Sequence, residues 1–159
     1  MDKKVVVIGA GPAGLSAALW LKNLGFTPVV IEKKSITGGM QNFNFLNNDW
    51  VLGQADVTGV DIAKNFDAHI AKEEIDLRLN ESVEQVIMSD NDVRVVLASQ
   101  SSIHACAIII ASGTRYRGRE ILPLDCGVTV DDAIIEGPHA FLHIDTLVQK
   151  KIIIIGAGD

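Results

Sequence analysis

Paired cysteines, clustered positive charge and long apolar runs are all missing from this chain. Cys106 and Cys126 are the only cysteines, far apart and outside any Cys-x-x-Cys. Neither a redox-active dithiol nor a zinc ribbon is therefore encoded. Two reduced structural thiols are expected, with Cys106 inside an apolar run that reads as a buried strand. No basic run exceeds the pair Lys33–Lys34, and the formal charge is -6. A nucleic-acid partner is excluded on that ground, since phosphate binding of that kind needs a Lys/Arg patch. No apolar stretch approaches the roughly 18 to 20 residues that span a bilayer. Asp2, Lys3 and Lys4 lead straight into a strand rather than a signal core, so no membrane association is expected and a cytoplasmic location is the default.

What is present is an ordinary folded domain. The 159 residues are 48% hydrophobic and 21% charged, enough for one real core. Residues 4–9 read as a fully buried strand because Val and Ile run without alternation. A helix follows from Pro12 to about Leu24, with Pro suited to its first turn and Gly25 to its end, and Val29 to Glu32 is a second short strand. A loop rich in Gly and Asn runs from Thr37 to about Gly53. Thr58 is placed to cap a helix whose apolar side is Ile62, Phe66 and Ile70. Ile75, Leu77 and Leu79 alternate as a strand. Val83–Met88, Val93–Ala98 and a strand at Ile103 form an antiparallel meander with turns at "SDND" and "SQSS". "HACAIIIASG" returns to a central strand over Ala107–Ala111. Residues 114–150 are irregular, and "KKIIIIGAGD" begins another strand and glycine turn.

The chemistry sits at the first strand–helix junction. Gly9, Gly11 and Gly14 form G-x-G-x-x-G, with Pro12 and Ala13 between the last two, where a dinucleotide pyrophosphate needs them. Gly9 permits the tight turn, Gly11 leaves no side chain where backbone approaches phosphate, and Gly14 lets helix and strand pack closely. The helix start offers free amides and partial positive charge, so an acidic protein can bind the anion without a basic patch. Glu32, at the end of the second strand, is placed to accept both ribose hydroxyls of an adenosine and disfavours a 2′-phosphate, so NADP is not expected at this first site.

Three stretches in order, "VVVIGAGPAGLSAALWLKNLGFTPVVIE", "AIIIASGTRYRG" and "KIIIIGAGD", resemble the two-dinucleotide-binding flavoproteins. The likeness is greatest to thioredoxin-reductase-like pyridine nucleotide-disulfide oxidoreductases. The resemblance implies an α/β fold: a Rossmann-like parallel sheet with a three-stranded antiparallel meander, of the FAD/NAD(P)-binding type and truncated. It implies FAD as cofactor and NAD(P)H as co-substrate of a longer chain. Residues 1–115 would be the FAD-binding portion, 116–150 a connection, and 151–159 the start of a second, NAD(P)-binding Rossmann domain. By the same likeness, Ala111, Ser112 and Gly113 pass close to the flavin's pyrophosphate side, Gly113 being required for close approach. "TGGMQ" brings in Gly38, Gly39 and Gln41, Lys33 lies beside Glu32, the backbone around Val83 faces the adenine, and Asp49 is a further flavin-side candidate.

One departure shapes the function. Thioredoxin reductases place Cys-x-x-Cys shortly before the second glycine motif, where this chain has "GPHAFLHIDTLVQKK", so dithiol exchange has no machinery in this stretch. His139 and His143 fall there at i, i+4, but no third ligand has a fixed place, and no metal site is expected. The reading is an FAD-dependent oxidoreductase fragment passing a hydride from NAD(P)H through flavin to an unidentified small-molecule or protein acceptor, with no catalytic residue assigned. The alternatives are a non-catalytic nucleotide-binding module, a one-nucleotide flavoprotein such as a monooxygenase or amine-oxidase relative, and a plain NAD-binding dehydrogenase domain. Weak FAD retention by residues 1–159 and homodimer pairing through an exposed sheet edge are expected.

Overall fold

The computed structural model describes residues 3–49, 51–90, 92–115, 135, 137, 143 and 145–154. It divides into two compact units, Met1–Gly113 and Thr114–Asp159, and every strand and α-helix named below belongs to the first.

The valine run gives β1 (Lys4–Ile8), followed by α1 (Pro12–Asn23) and β2 (Thr27–Ile31). Helix α1 stops at a glycine, as its sequence predicts. Gly25 takes φ +81, its amide reaches the Lys22 carbonyl at 2.9 Å, and the next amide, of Phe26, reaches Leu21 at 3.0 Å. These two bonds satisfy carbonyls that the helix end would otherwise orphan. Then come α2 (Gly59–Lys72), β3 (Asp76–Arg78), β4 (Val83–Met88), β5 (Val93–Leu97), β6 (Ser102–Ala105) and β7 (Ala107–Ile110).

The strands form a four-stranded parallel sheet in the order β3-β2-β1-β7 and a separate antiparallel meander, β4-β5-β6. One buried cluster joins Val6, Val29 and Ile31 of the parallel sheet to Val93, Val95, Leu97, Ile103 and Ala105 of the meander. The other joins Val7 and Val30 to Leu15 and Ala18 of α1 and Ile70 of α2. Successive residues of β1 thus serve opposite faces, which explains why no polar residue interrupts the run. Each such Val or Ile contributes about 1.5 to 3 kcal/mol by leaving water, an upper estimate for a compact unfolded chain.

Four expectations need correction. Strand β7 pairs with β1 but has no described strand on its other side, so it is an edge rather than a central strand of the described sheet. Its apolar run serves two faces, Ile108 packing toward the meander and Ile109 toward the helices, and face burial is indistinguishable from edge pairing in a sequence. Cys106 is exposed and lies between β6 and β7, its amide and thiol both donating to the Lys4 carbonyl, at 2.9 and 3.1 Å. Leu79 falls outside β3, where the chain leaves the sheet edge. Residues 151–154 lie in no strand, and Ile153 is 89% exposed. Strand geometry needs a hydrogen-bonding neighbour, and the described residues provide those four with none.

Thr58 caps α2 as its sequence predicts. Its hydroxyl oxygen accepts from the Asp61 amide at 3.2 Å while its proton goes to the Asp61 carboxylate at 2.7 Å. That hydroxyl, followed by the Lys64 ammonium through its hydrogen bond and its charge, holds the exposed Asp61 carboxyl below the usual aspartate range. A carboxyl depressed in the folded state stabilises it above the unfolded value and ceases to do so as pH falls through the folded one. Loss of the cap bond to the Asp61 amide in Thr58→Ala is expected to cost about 1 kcal/mol at neutral pH, read as a lowered thermal midpoint. The variant's difference from the parent should shrink as the medium is acidified below the aspartate range. A constant difference across that range would count against the bond to the Asp61 carboxylate, since the bond from its amide does not titrate.

Candidate functional site

The three glycines of the β1–α1 turn differ in what a side chain would meet. Gly9 has φ +107, and a Cβ there would overlap the Ala111 carbonyl. A Cβ on Gly14 would overlap the Gly9 carbonyl and come within 3.3 Å of the Ala111 Cβ. Gly11 is otherwise: the nearest atom to its would-be Cβ is the Gly39 Cα, 4.0 Å away. Packing does not exclude a side chain at Gly11.

Beyond Gly11 the helix start is open. The first helical bond runs from the Leu15 amide to the Gly11 carbonyl at 3.0 Å, leaving the amides of Ala13 and Gly14 without helical acceptors. No side chain caps this end, no acid lies in its first turn, and Pro12 and Ala13 are exposed. Helix α2 differs in each respect, with Thr58 as its cap and Asp61 in its first turn. The fold thus caps one helix start with a side chain and leaves the other uncapped, an end whose amides and partial positive charge suit an anion.

Glu32 sits one residue past β2, half-buried, with its carboxylate turned to the glycine turn. One oxygen accepts from the Ala10 amide and the other from the Lys34 amide, both at 2.9 Å. The carboxylate expected to serve ribose hydroxyls therefore also satisfies the amide of a fully buried residue. A carboxylate oxygen accepts more than one bond, so capacity for hydroxyls remains. Lys33 is exposed beside it, and the Lys34 ammonium lies 5.3 Å from the centre of the Phe43 ring. The amides of Asn80 and Glu81 bond the Lys34 and Glu32 carbonyls, each at 3.0 Å, which brings the approach to β4 alongside. Val83 begins that strand, half-buried against the meander cluster.

A second glycine loop closes the other side, and its middle forms a 3-10 turn (Gly39–Phe43) that sequence pattern did not indicate. The Gly38 amide donates to the Ala10 carbonyl at 2.8 Å, and a Cβ on Gly39, at φ +55, would stand 3.2 Å from the Gly11 Cα. Gly11 and Gly39 therefore face each other across backbone. Gln41 is directed elsewhere: its side-chain oxygen packs on Gly59 and accepts from Asn48 at 3.5 Å. Ala111 lies under Gly9, its amide bonded to the Ile8 carbonyl at 2.8 Å, and Ser112 is exposed beyond it. Gly113 has φ +69 with nothing within 4 Å of a would-be Cβ, so backbone conformation rather than close approach within the chain requires glycine there.

Gly9, Gly11, Gly14, Glu32, Gly39 and Ala111 are thus brought together, while Gln41 is held by α2 and Asp49 is an exposed loop acid. Sequence reasoning missed Ala10, whose amide and carbonyl both anchor the site, and the buried polar residues Thr37 and Asn48. Nothing in their local pattern announces burial. His143 and Asp145 are exposed, and Cys126 and His139 lie outside the described residues, among which no cluster could hold a metal ion. No helix of the described residues is long and apolar enough to cross a membrane.

A parallel sheet with a glycine-lined turn at the carboxyl end of its first strand, an open helix start and a stacked meander defines a Rossmann-type FAD/NAD(P)-binding fold. The family model for pyridine nucleotide-disulphide oxidoreductases matches residues 3–159, and the chain belongs to that family. FAD and NAD(P)H are the cofactors of these oxidoreductases. Over 161 residues the chain is 27% identical to a ferredoxin–NADP reductase of Lactococcus lactis subsp. cremoris (strain SK11), covering 98% of this chain and 48% of that protein. It is 27% identical over 124 residues to a thioredoxin reductase of Ureaplasma parvum serovar 3, covering 74% of this chain and 37% of that protein. The crystal structure of T. acidophilum thioredoxin reductase superposes with a TM-score of 0.66 at 27% identity, over 73% of this chain and 38% of that one. The chain therefore spans about half the length of the lactococcal reductase, 48%.

Proposed function

We propose that residues 1–115 form the FAD-binding part of an oxidoreductase that accepts a hydride from NAD(P)H and delivers electrons to an acceptor carried on another molecule. The observation that supports this most is the open start of α1 beside Gly11, with the Glu32 carboxylate held at the same turn. A diphosphate fits the former and a ribose the latter. On this reading the amides of Ala13 and Gly14 hold the diphosphate, Glu32 orients the adenosine ribose, and Gly39, with Ala111, Ser112 and Gly113, lines the remainder. Lys33, Val83 and Gln41 are assigned outer positions. Bound flavin supplies the two-electron chemistry, and this chain supplies binding and orientation. No Cys-x-x-Cys occurs in these residues, so the acceptor is proposed to be other than a dithiol formed within them. The name of the lactococcal relative, a ferredoxin–NADP reductase, favours a separate electron-carrying partner. Residues 151–159 are assigned to the start of a nicotinamide-binding half.

The purified chain, supplied with FAD and freed of excess, should show flavin absorbance that bleaches on anaerobic addition of NADH or NADPH once the nicotinamide-binding half is present. Residues 1–159 alone should retain FAD weakly and bleach incompletely. Protein that takes up no FAD in either form would refute the reading. Flavin that never bleaches in the longer form would favour a non-catalytic nucleotide-binding module.

A further inference from the structure

Two polar residues are buried among those described, Thr37 and Asn48, and both belong to the segment that carries the second glycine loop. A buried hydroxyl is costly unless bonded, so valine would serve the core better at Thr37 unless its hydroxyl had work to do. The Thr37 hydroxyl donates to the Asp67 carboxylate on the exposed flank of α2. Asn42 closes the loop upon itself, its side-chain amide donating to the Thr37 carbonyl at 2.5 Å and the Gly39 carbonyl at 3.2 Å. Gly38, between them, lies so near α2 that a Cβ would come 2.6 Å from that of Ala63, while its amide bonds Ala10. The loop is therefore fastened to α2 on one side and to the β1–α1 turn on the other.

We infer that the Thr37–Asp67 hydrogen bond is a positioning device: it clasps the second glycine loop to α2 so that Gly39 stays pressed on Gly11, which fixes the mouth where a dinucleotide diphosphate is received. Neither residue touches the dinucleotide. Each acts through Gly38 and Gly39, and the inference rests on the function proposed above. Releasing the clasp lets the loop leave Gly11 part of the time, and affinity falls by the fraction of molecules with the mouth closed.

The test uses the full chain with FAD as probe, titrated by flavin fluorescence, alongside hydrogen exchange at the Gly38 amide without ligand. Thr37→Val should weaken FAD binding about tenfold, equal to about 1.4 kcal/mol, and speed Gly38 exchange by a similar factor. Thr37→Ser should restore both. Asp67→Ala, at an exposed helical position that tolerates alanine, should match Thr37→Val. The double variant should be no worse than either single one, as two halves of one bond require. Unchanged FAD affinity in Asp67→Ala, or equal loss in Thr37→Ser and Thr37→Val, would overturn the clasp. Absence of FAD uptake by the parent would instead overturn the function on which it rests.

Discussion

Gly14→Ala and Gly11→Ala, three positions apart in one motif, are expected to fail in opposite ways. A methyl at Gly14 occupies the space of the Gly9 carbonyl and presses on Ala111, so β1, α1 and the segment after β7 cannot all keep their places. Backbone on two sides cannot yield as a flexible side chain would. The loss should be about 3 kcal/mol or more, within reach of the whole stability of a small domain. Gly9→Ala should do the same, with a positive φ added to the overlap. At Gly11 the nearest atom is 4.0 Å off, so alanine should change folding stability by only about 0.5 to 1 kcal/mol, the usual scale for a cap position. FAD affinity should nevertheless fall at least about tenfold, because the methyl stands where the diphosphate meets the amides. Thermal melts and FAD titration of the three variants separate the cases. A Gly11→Ala protein that binds FAD normally would remove the diphosphate from this turn.

Glu32→Ala should lose both stability and ligand affinity, and Glu32→Gln should divide them. Alanine orphans the amide of fully buried Ala10, at a cost of about 1 to 3 kcal/mol, and removes the ribose acceptor as well. Glutamine keeps one side-chain oxygen but sets an NH2 group toward one of the two amides that the carboxylate satisfies. With its oxygen kept toward Ala10, it should retain most of the fold, losing about 1 kcal/mol, while binding FAD several-fold more weakly. Denaturant unfolding with and without FAD measures both quantities on one sample. If alanine destabilised the ligand-free protein by nothing measurable, the Ala10 contact would have no energetic role.

The fold was legible wherever one physical requirement governed one residue type. Val5–Val7 had to be buried on both faces because no polar residue interrupts them, Gly25 marked a helix stop, and Thr58 announced a cap three residues before Asp61. The motif glycines were legible for the same reason, since only the missing Cβ admits the Ala111 and Gly9 carbonyls. What escaped depends on tertiary neighbours. Apolar content marks β7 as face-buried but says nothing of its edge, and Cys106 looks apolar in sequence although it falls at the bend between two sheets. Glu32 lies one residue past β2, yet its bond to Ala10 joins residues 22 apart and has no local signature. Thr37 and Asn48 read as loop polars because burial of a loop is decided by what packs over it.

A single residue, Cys106, separates β6 of the meander from β7 of the parallel sheet, and the two sheets share one buried cluster. Cys106 spends both its donors on the same Lys4 carbonyl, so the last strand of one sheet is pinned to the first strand of the other with no slack between. From β7 the chain runs directly to Ala111, the floor beneath Gly9. A substitution that loosens the meander is therefore expected to be felt at that floor through the Cys106 junction.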